Sequence, residues 1–335
     1  MSRLLVRVLA DPSASAALDS SEWTALITAA RAESLLGSLA FRLEDQRLPP
    51  KVESILEDAR RDAAYARTQA LWEAEMARRA LAETGVPLIL LKGTAFAVAG
   101  LDAARGRSIG DLDILVPFDR LDEVQTALIG AGWEWVKEDS YDDLYYRRWM
   151  HELPPLIHRS RDRMIDVHHT ILPPTARPKP DAVALIAASV RLESGHCTLS
   201  PEDMIVHAAA HLFADGDLAG GLRNLWDIDR LVREFSVMDE TFWPRLEERA
   251  GLHRLRTAVE RALRLARSLY GTPVDAALAG GNRLSDRLFE ARLLARNGWG
   301  QPTRRLLRFG FYVRSHWMRM PPLMLARHLL TKATR

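Results

Sequence analysis

Arg107-Ser108-Ile109-Gly110-Asp111-Leu112-Asp113-Ile114-Leu115-Val116 runs from a polar, glycine-containing loop into an apolar β-type segment. Side chains alternate across a strand, so Asp111 and Asp113 share one side while Leu112 and Ile114 take the other. Two carboxylates placed one residue apart repel unless a cation sits with them. Hard divalent ions such as Mg²⁺ are what paired carboxylates and phosphates hold in common. The search therefore moves outward, for a third acid and for a phosphate cradle.

Downstream, Met164-Ile165-Asp166-Val167-His168-His169-Thr170 reads as another half-apolar strand, with Asp166 and His168 on one face and His169 on the other. Upstream, Pro87-Leu88-Ile89-Leu90-Leu91 reads as a short buried strand ending at Lys92-Gly93-Thr94. An Ala-rich helix start follows from Ala95. A strand that passes through glycine into a helix N-terminus presents backbone N–H groups to an anion. Lys92, Gly93, Thr94, Arg107 and Ser108 are thus the candidate nucleotide-binding residues, the arginine because its planar fork matches phosphate oxygens in pairs. The plain alternative for Lys92 is a solvated strand end, and for Ser108 a turn cap.

The pattern LLKG … R … SIGDLDILV … IDVH resembles the uncharacterised nucleotidyltransferase family of the DNA polymerase beta-like superfamily, by order of elements from about Trp23 to Val232. The resemblance implies an α+β fold: a mixed β-sheet nucleotidyltransferase core (polymerase beta-like), flanked by N-terminal and C-terminal helical regions. It also implies that Asp111, Asp113 and Asp166 are the catalytic metal ligands, for Mg²⁺ or Mn²⁺, with an NTP as co-substrate. The expected reaction is transfer of NMP to a hydroxyl of an unidentified small-molecule, peptide or protein acceptor, with pyrophosphate released. Asp111 and Asp113 are expected to hold two ions, with Asp166 completing the coordination of the second ion and taking the hydroxyl proton. His168 is expected to support a ligand or touch substrate. Gly93-Thr94 stands where the wider superfamily has Gly-Ser, at a long distance from Asp111.

The bulk properties agree. A chain of 335 residues, 47% hydrophobic and 27% charged, can bury one large core or two ordinary ones. Net charge is only +2, so the whole molecule is no general polyanion binder. A lone cysteine, Cys197, excludes an internal disulfide framework and a cysteine zinc cluster, and fits a reducing cytoplasm. The apolar N-terminus imitates a signal peptide, but Arg7 interrupts it; no uncharged run reaches membrane-spanning length. The chain reads as cytoplasmic.

Three regions emerge. Residues 1–85 read as helical, with Asp19-Ser20-Ser21 as a cap and a long Ala-rich helix from residue 52 to about 83, ended by Gly85. Residues 86–172 form the nucleotidyltransferase core, with strands expected at 133–136, 144–149 and 153–158 and the acids at one sheet edge. Residues 173–335 return to helix after a proline-rich linker, with Ser200-Pro201-Glu202-Asp203 a strong helix start.

His207 and His211 share a helix face, yet Ala208 stands where a hydrolase zinc signature has glutamate, so a structural role is expected. Trp226 reads as core, and Asp227 as a cap or surface pair rather than a group orienting a catalytic-side residue. After Glu290 there is no acidic residue, while ten arginines and lysines accumulate to Arg335 among Phe309, Phe311, Tyr312 and Trp317. This basic tail suits an anionic partner (a membrane surface, RNA or an acidic peptide) or an acidic face of its own protein. The rival readings are a non-catalytic nucleotide- or partner-binding relative, and an adaptor working through that tail.

Overall fold

A computed structural model describes residues 2–136, 149–281 and 283–319. The expected strand at 144–149 lies almost wholly outside them, as do Arg327, Lys332 and Arg335 of the basic tail. Helices α1 (Ser2–Ala10), α2 (Ser20–Ala32), α3 (Leu36–Arg42) and α4 (Pro50–Ala80) lead into the sheet. Asp19 caps α2 in a reciprocal box with Glu22. Helix α1 is amphipathic and buries Leu5, Val8 and Leu9. Helix α4 buries a row of alanines (Ala59, Ala63, Ala70, Ala74 and Ala77), whose small side chains suit close packing.

The sheet contains β1 (Ile89–Leu90), β2 (Leu112–Leu115), β3 (Trp133–Trp135), β4 (Leu156–His158), β5 (Met164–His168), β6 (Val190–Arg191) and β7 (Cys197–Thr198). Their order is β3-β4-β5-β2-β1-β7-β6, with β2–β5 and β1–β7 parallel and the other pairs antiparallel. Two findings depart from expectation. The acids do not lie on an outer strand: Asp113 and Asp166 are direct partners on the two central strands β2 and β5. Strands β6 and β7 extend the sheet from a segment expected to be helical. Each is two residues long, too short to show alternation.

Helix α5 (Lys92–Val98) follows β1, and α6 (Leu121–Gly130) joins β2 to β3. Beyond the sheet come α7 (Ala182–Ala187), α8 (Pro201–Ala210), α9 (Gly221–Met238), α10 (Phe242–Leu252), α11 (Arg256–Tyr270), α12 (Ala276–Ala279), α13 (Leu284–Leu293) and α14 (Arg305–Arg319). Ser200 caps α8 through Asp203 N–H, with Pro201 at its first turn. One buried apolar cluster runs from Leu5 to Phe311, so sheet and helices share a core. Among the described residues no helix is long and apolar enough to cross a membrane.

Candidate active site

Parallel pairing of β2 with β5 sets Asp113 opposite Asp166, and Asp111 precedes β2 by one residue. One carboxylate oxygen from each of Asp111, Asp113 and Asp166 lies within 4.8 Å of the others. The three differ in exposure: Asp111 is open to solvent, Asp166 half-buried and Asp113 buried. Such a graded set of oxygen donors, one of them reachable from water, fits a hard divalent cation.

Electrostatics separates the two strand acids. Burial alone pushes the Asp113 carboxyl up, but Lys92 and His168 overcome it and hold the group well below the usual carboxylate range. Lys92 Nζ lies 2.5 Å and His168 Nε2 2.9 Å from Asp113 Oδ1. Asp166 goes the other way. Burial, then the charges of Asp113 and Glu152, push it up to about 7, against a smaller opposing pull from His168. Burial draws the Lys92 ammonium down, yet Asp113, Asp111 and Asp166 leave it above its ordinary value. Among the described residues, the three acids bring more negative charge than the Lys92 ammonium offsets, which is the condition a bound cation relieves.

Lys92 is neither simply solvated nor free for phosphate: it is ion-paired with Asp113. Its backbone sits in the left-handed region at φ 49°, a conformation non-glycine residues seldom adopt outside functional or tightly constrained sites. Arg107 is buried; its Nε donates to Asp227 Oδ2 at 3.1 Å, and its guanidinium lies 5.6 Å from the Phe96 ring centroid. Gly93 is what lets it lie there. A Cβ on residue 93 would come within 1.6 Å of Arg107 Nη1. The glycine thus makes room for a guanidinium against the start of α5. Thr94 is buried, and its Oγ1 has no hydrogen-bond partner among the described residues. Ser108 is exposed and lines a groove with Arg31, Asp62 and Ala66, apart from the cleft described next.

A narrow cleft of about 30 Å³ opens beside Lys92. Lys92, Arg107 and Arg223 line it with His207 and His211 of the α8 end, over an apolar floor that includes Phe96 and Met204. His207 is buried, and burial, reinforced by the nearby Lys92, pushes its imidazole well below the usual range, keeping it neutral. Asp227 is no surface pair: it is buried, bonded to Arg107 and 3.7 Å from Arg223 Nη1. The sequence signals favoured structural roles for His207, His211 and Asp227 because their place beside the α5 region is set by tertiary packing of α8 and α9. His168 lies against a triad acid, with its Nε2 2.9 Å from Asp113 Oδ1.

The basic tail turns out to be partly internal. Arg292 approaches Asp217 at 3.5 Å, Arg296 pairs with Glu33, and Arg314 donates to the Phe213 carbonyl at 2.8 Å. Those arginines serve the fold. Leu306, Phe309 and Trp317 on α14 are exposed.

Asp113 and Asp166 on adjacent central strands, with Asp111 just ahead of β2, form a carboxylate group that could hold a metal ion, beside a cation-lined cleft. The chain matches the profile of the uncharacterised nucleotidyltransferase family over residues 19–271 and belongs to that family. Membership places it at a coarse level among the transferases that move nucleoside monophosphates. No curated protein and no solved structure matches.

Proposed function

We propose that this protein transfers NMP from an NTP to a hydroxyl of an acceptor through a polymerase beta-like arrangement of Asp111, Asp113 and Asp166 around Mg²⁺ or Mn²⁺. The observation that carries the reading is the convergence of these three carboxylates within 4.8 Å. Their donor chemistry fits the ion, as do the charge surplus and the raised affinity of Asp166 for protons. Bound there, a divalent cation would supply positive charge to the phosphate oxygens and acidify the attacking hydroxyl.

The residues of the chain then divide the work. Asp113, kept ionised by Lys92 and His168, is a permanent acceptor. Asp111, at the solvent side, is the ligand that an arriving nucleotide meets first. Asp166, poised near neutrality at about 7, takes the proton of the acceptor hydroxyl. The new bond joins that oxygen to the α-phosphorus as the bond to the bridging oxygen breaks; its electron pair leaves with pyrophosphate. Arg107 and Arg223, two guanidiniums beside the single carboxylate of Asp227, give the cleft the sign needed for the polyphosphate.

The test is transfer of α-labelled phosphate from each of the four NTPs to any acceptor in a cell extract, with Mg²⁺ and with EDTA. Label transfer with pyrophosphate release in Mg²⁺ alone is the expected result. Equal transfer in EDTA would remove the metal from the mechanism. NTP binding without pyrophosphate release from any NTP would favour a non-catalytic relative.

A further inference from the structure

Beside the triad lies a second donor set. One ligand atom each of His151, Glu152 and His168 lies within 4.8 Å of the other two. Backbone pairing builds it. Leu153 N–H donates to Val167 O and His169 N–H to His151 O, both at 2.9 Å. This makes Glu152 and His168 a non-hydrogen-bonded antiparallel pair, the kind in which side chains approach most closely. The His151 ring stacks on His168 at 5.2 Å between centroids and 29° between planes. Glu152 Oε2 is 3.4 Å from His168 Nδ1 and 3.8 Å from His151 Nε2.

The donor spacing makes this cluster more than a polar contact. His168 Nε2 lies 2.9 Å from Asp113 Oδ1, which turns the other ring nitrogen, Nδ1, toward Glu152 Oε2 at 3.4 Å. Tetrahedral coordination with bonds of about 2.0–2.1 Å sets donor atoms about 3.3 Å apart, close to the separations seen. A ligating histidine whose far N–H is held by a carboxylate is also the usual way such rings are oriented.

We propose that His151 Nε2, Glu152 Oε2 and His168 Nδ1 bind a transition-metal ion, Zn²⁺ by its fit to two imidazoles and a carboxylate, separate from the hard-cation triad. Imidazole donors select such ions over Mg²⁺. Three protein ligands leave a fourth position for water. The ion would pin the strand segment at 151–153 onto β5 and hold the His168 ring against Asp113. The two centres thereby meet through one hydrogen bond.

The experiment uses the full chain with Co²⁺ as a spectroscopic probe, in the wild type and in an Asp111→Asn/Asp166→Asn variant that disables the triad. Both should take up one equivalent with the intense visible band of four-coordinate Co²⁺, displaced by Zn²⁺. His151→Ala and the isosteric Glu152→Gln should each weaken uptake at least about tenfold, the scale of loss found even for residues that only support metal ligands. Absence of stoichiometric uptake would overturn the proposal. So would wild-type loading in folded Glu152→Gln protein, or loss of the band in the triad variant alone. Because no nucleotide is present, failure here leaves the nucleotidyl-transfer reading standing.

Discussion

Asp203 and Asp286 of the helical half and Asp166 of the sheet are treated in opposite ways. Asp203 of α8 is bonded by Arg249 and lies 3.3 Å from His253 Nε2. Asp286 of α13 is bonded by Arg264 and Arg261. Burial pushes both carboxyls up, but those partners more than compensate, and both end below the usual carboxylate range. Asp229 of α9 receives Arg233 at 2.9 Å and the Thr272 hydroxyl at 2.6 Å. In the sheet, Asp111, Asp113 and Asp166 share Lys92 and His168, and Glu152 adds a fourth charge nearby. Burial itself therefore does not mark a site; uncompensated burial does. The helical acids hold elements together, whereas the sheet acids are left with charge to spend on something that binds.

The comparison breaks first if Asp113→Asn proves harmless to turnover. Asparagine still offers an oxygen to Lys92 and His168, so folding should survive. Loss of the negative charge should lower the transfer rate by at least ~10³-fold, about 4 kcal/mol in activation free energy, measured as pyrophosphate release at saturating NTP. A rate within tenfold of wild type would show that this carboxylate holds nothing the reaction needs.

Asp286→Ala probes the other region. It leaves Arg264, nearly inaccessible and bonded to the Ala279 carbonyl, with only Glu260 at 3.8 Å as a carboxylate neighbour among the described residues. Breaking a buried pair in this way costs about 3–5 kcal/mol, read from denaturant unfolding, while pyrophosphate release per folded molecule stays unchanged. A small stability loss together with a large activity loss would invert the assignment of the two regions.

What could be read from the chain follows the same division. The carboxylates of β2 and β5 were legible because alternation is local: Asp111, Asp113 and Asp166 stand at fixed places in apolar runs. The caps at Asp19 and Ser200-Pro201 were legible for the same reason. Contacts made by tertiary pairing were not. Arg107 reaches Asp227 across 120 residues, and no spacing rule links a loop arginine to a helix two-thirds along the chain. Glu152 faces His168 only because its segment pairs with β5 beyond the Pro154-Pro155 interruption. Strands β6 and β7 are defined by what they pair with, and α1 by the face it buries rather than by its hydrophobic length.

The smallest effect is also the sharpest test of uncompensated charge. Asp166 has a folded-state value of about 7 against an ordinary 3.8, so between those values the folded chain holds a proton that the unfolded chain has released. Stability must then fall as pH rises through this window, because only the unfolded state escapes the repulsion. In metal-free buffer the thermal midpoint should decline from pH 5 to pH 7 more steeply in wild type than in Asp166→Asn, by a few degrees at most. The groups facing Asp166 (Asp111, Asp113, Glu152 and His168) are unchanged in both proteins, so the difference between them isolates this carboxyl. Millimolar Mg²⁺ should cancel or reverse the slope, since a cation bound by the ionised form stabilises the folded state more as the proton leaves. Asp286→Ala should keep the wild-type slope and only lower the whole curve. If the wild-type and Asp166→Asn curves run parallel with and without Mg²⁺, Asp166 carries no excess charge, and the sheet acids are as fully compensated as those of the helices.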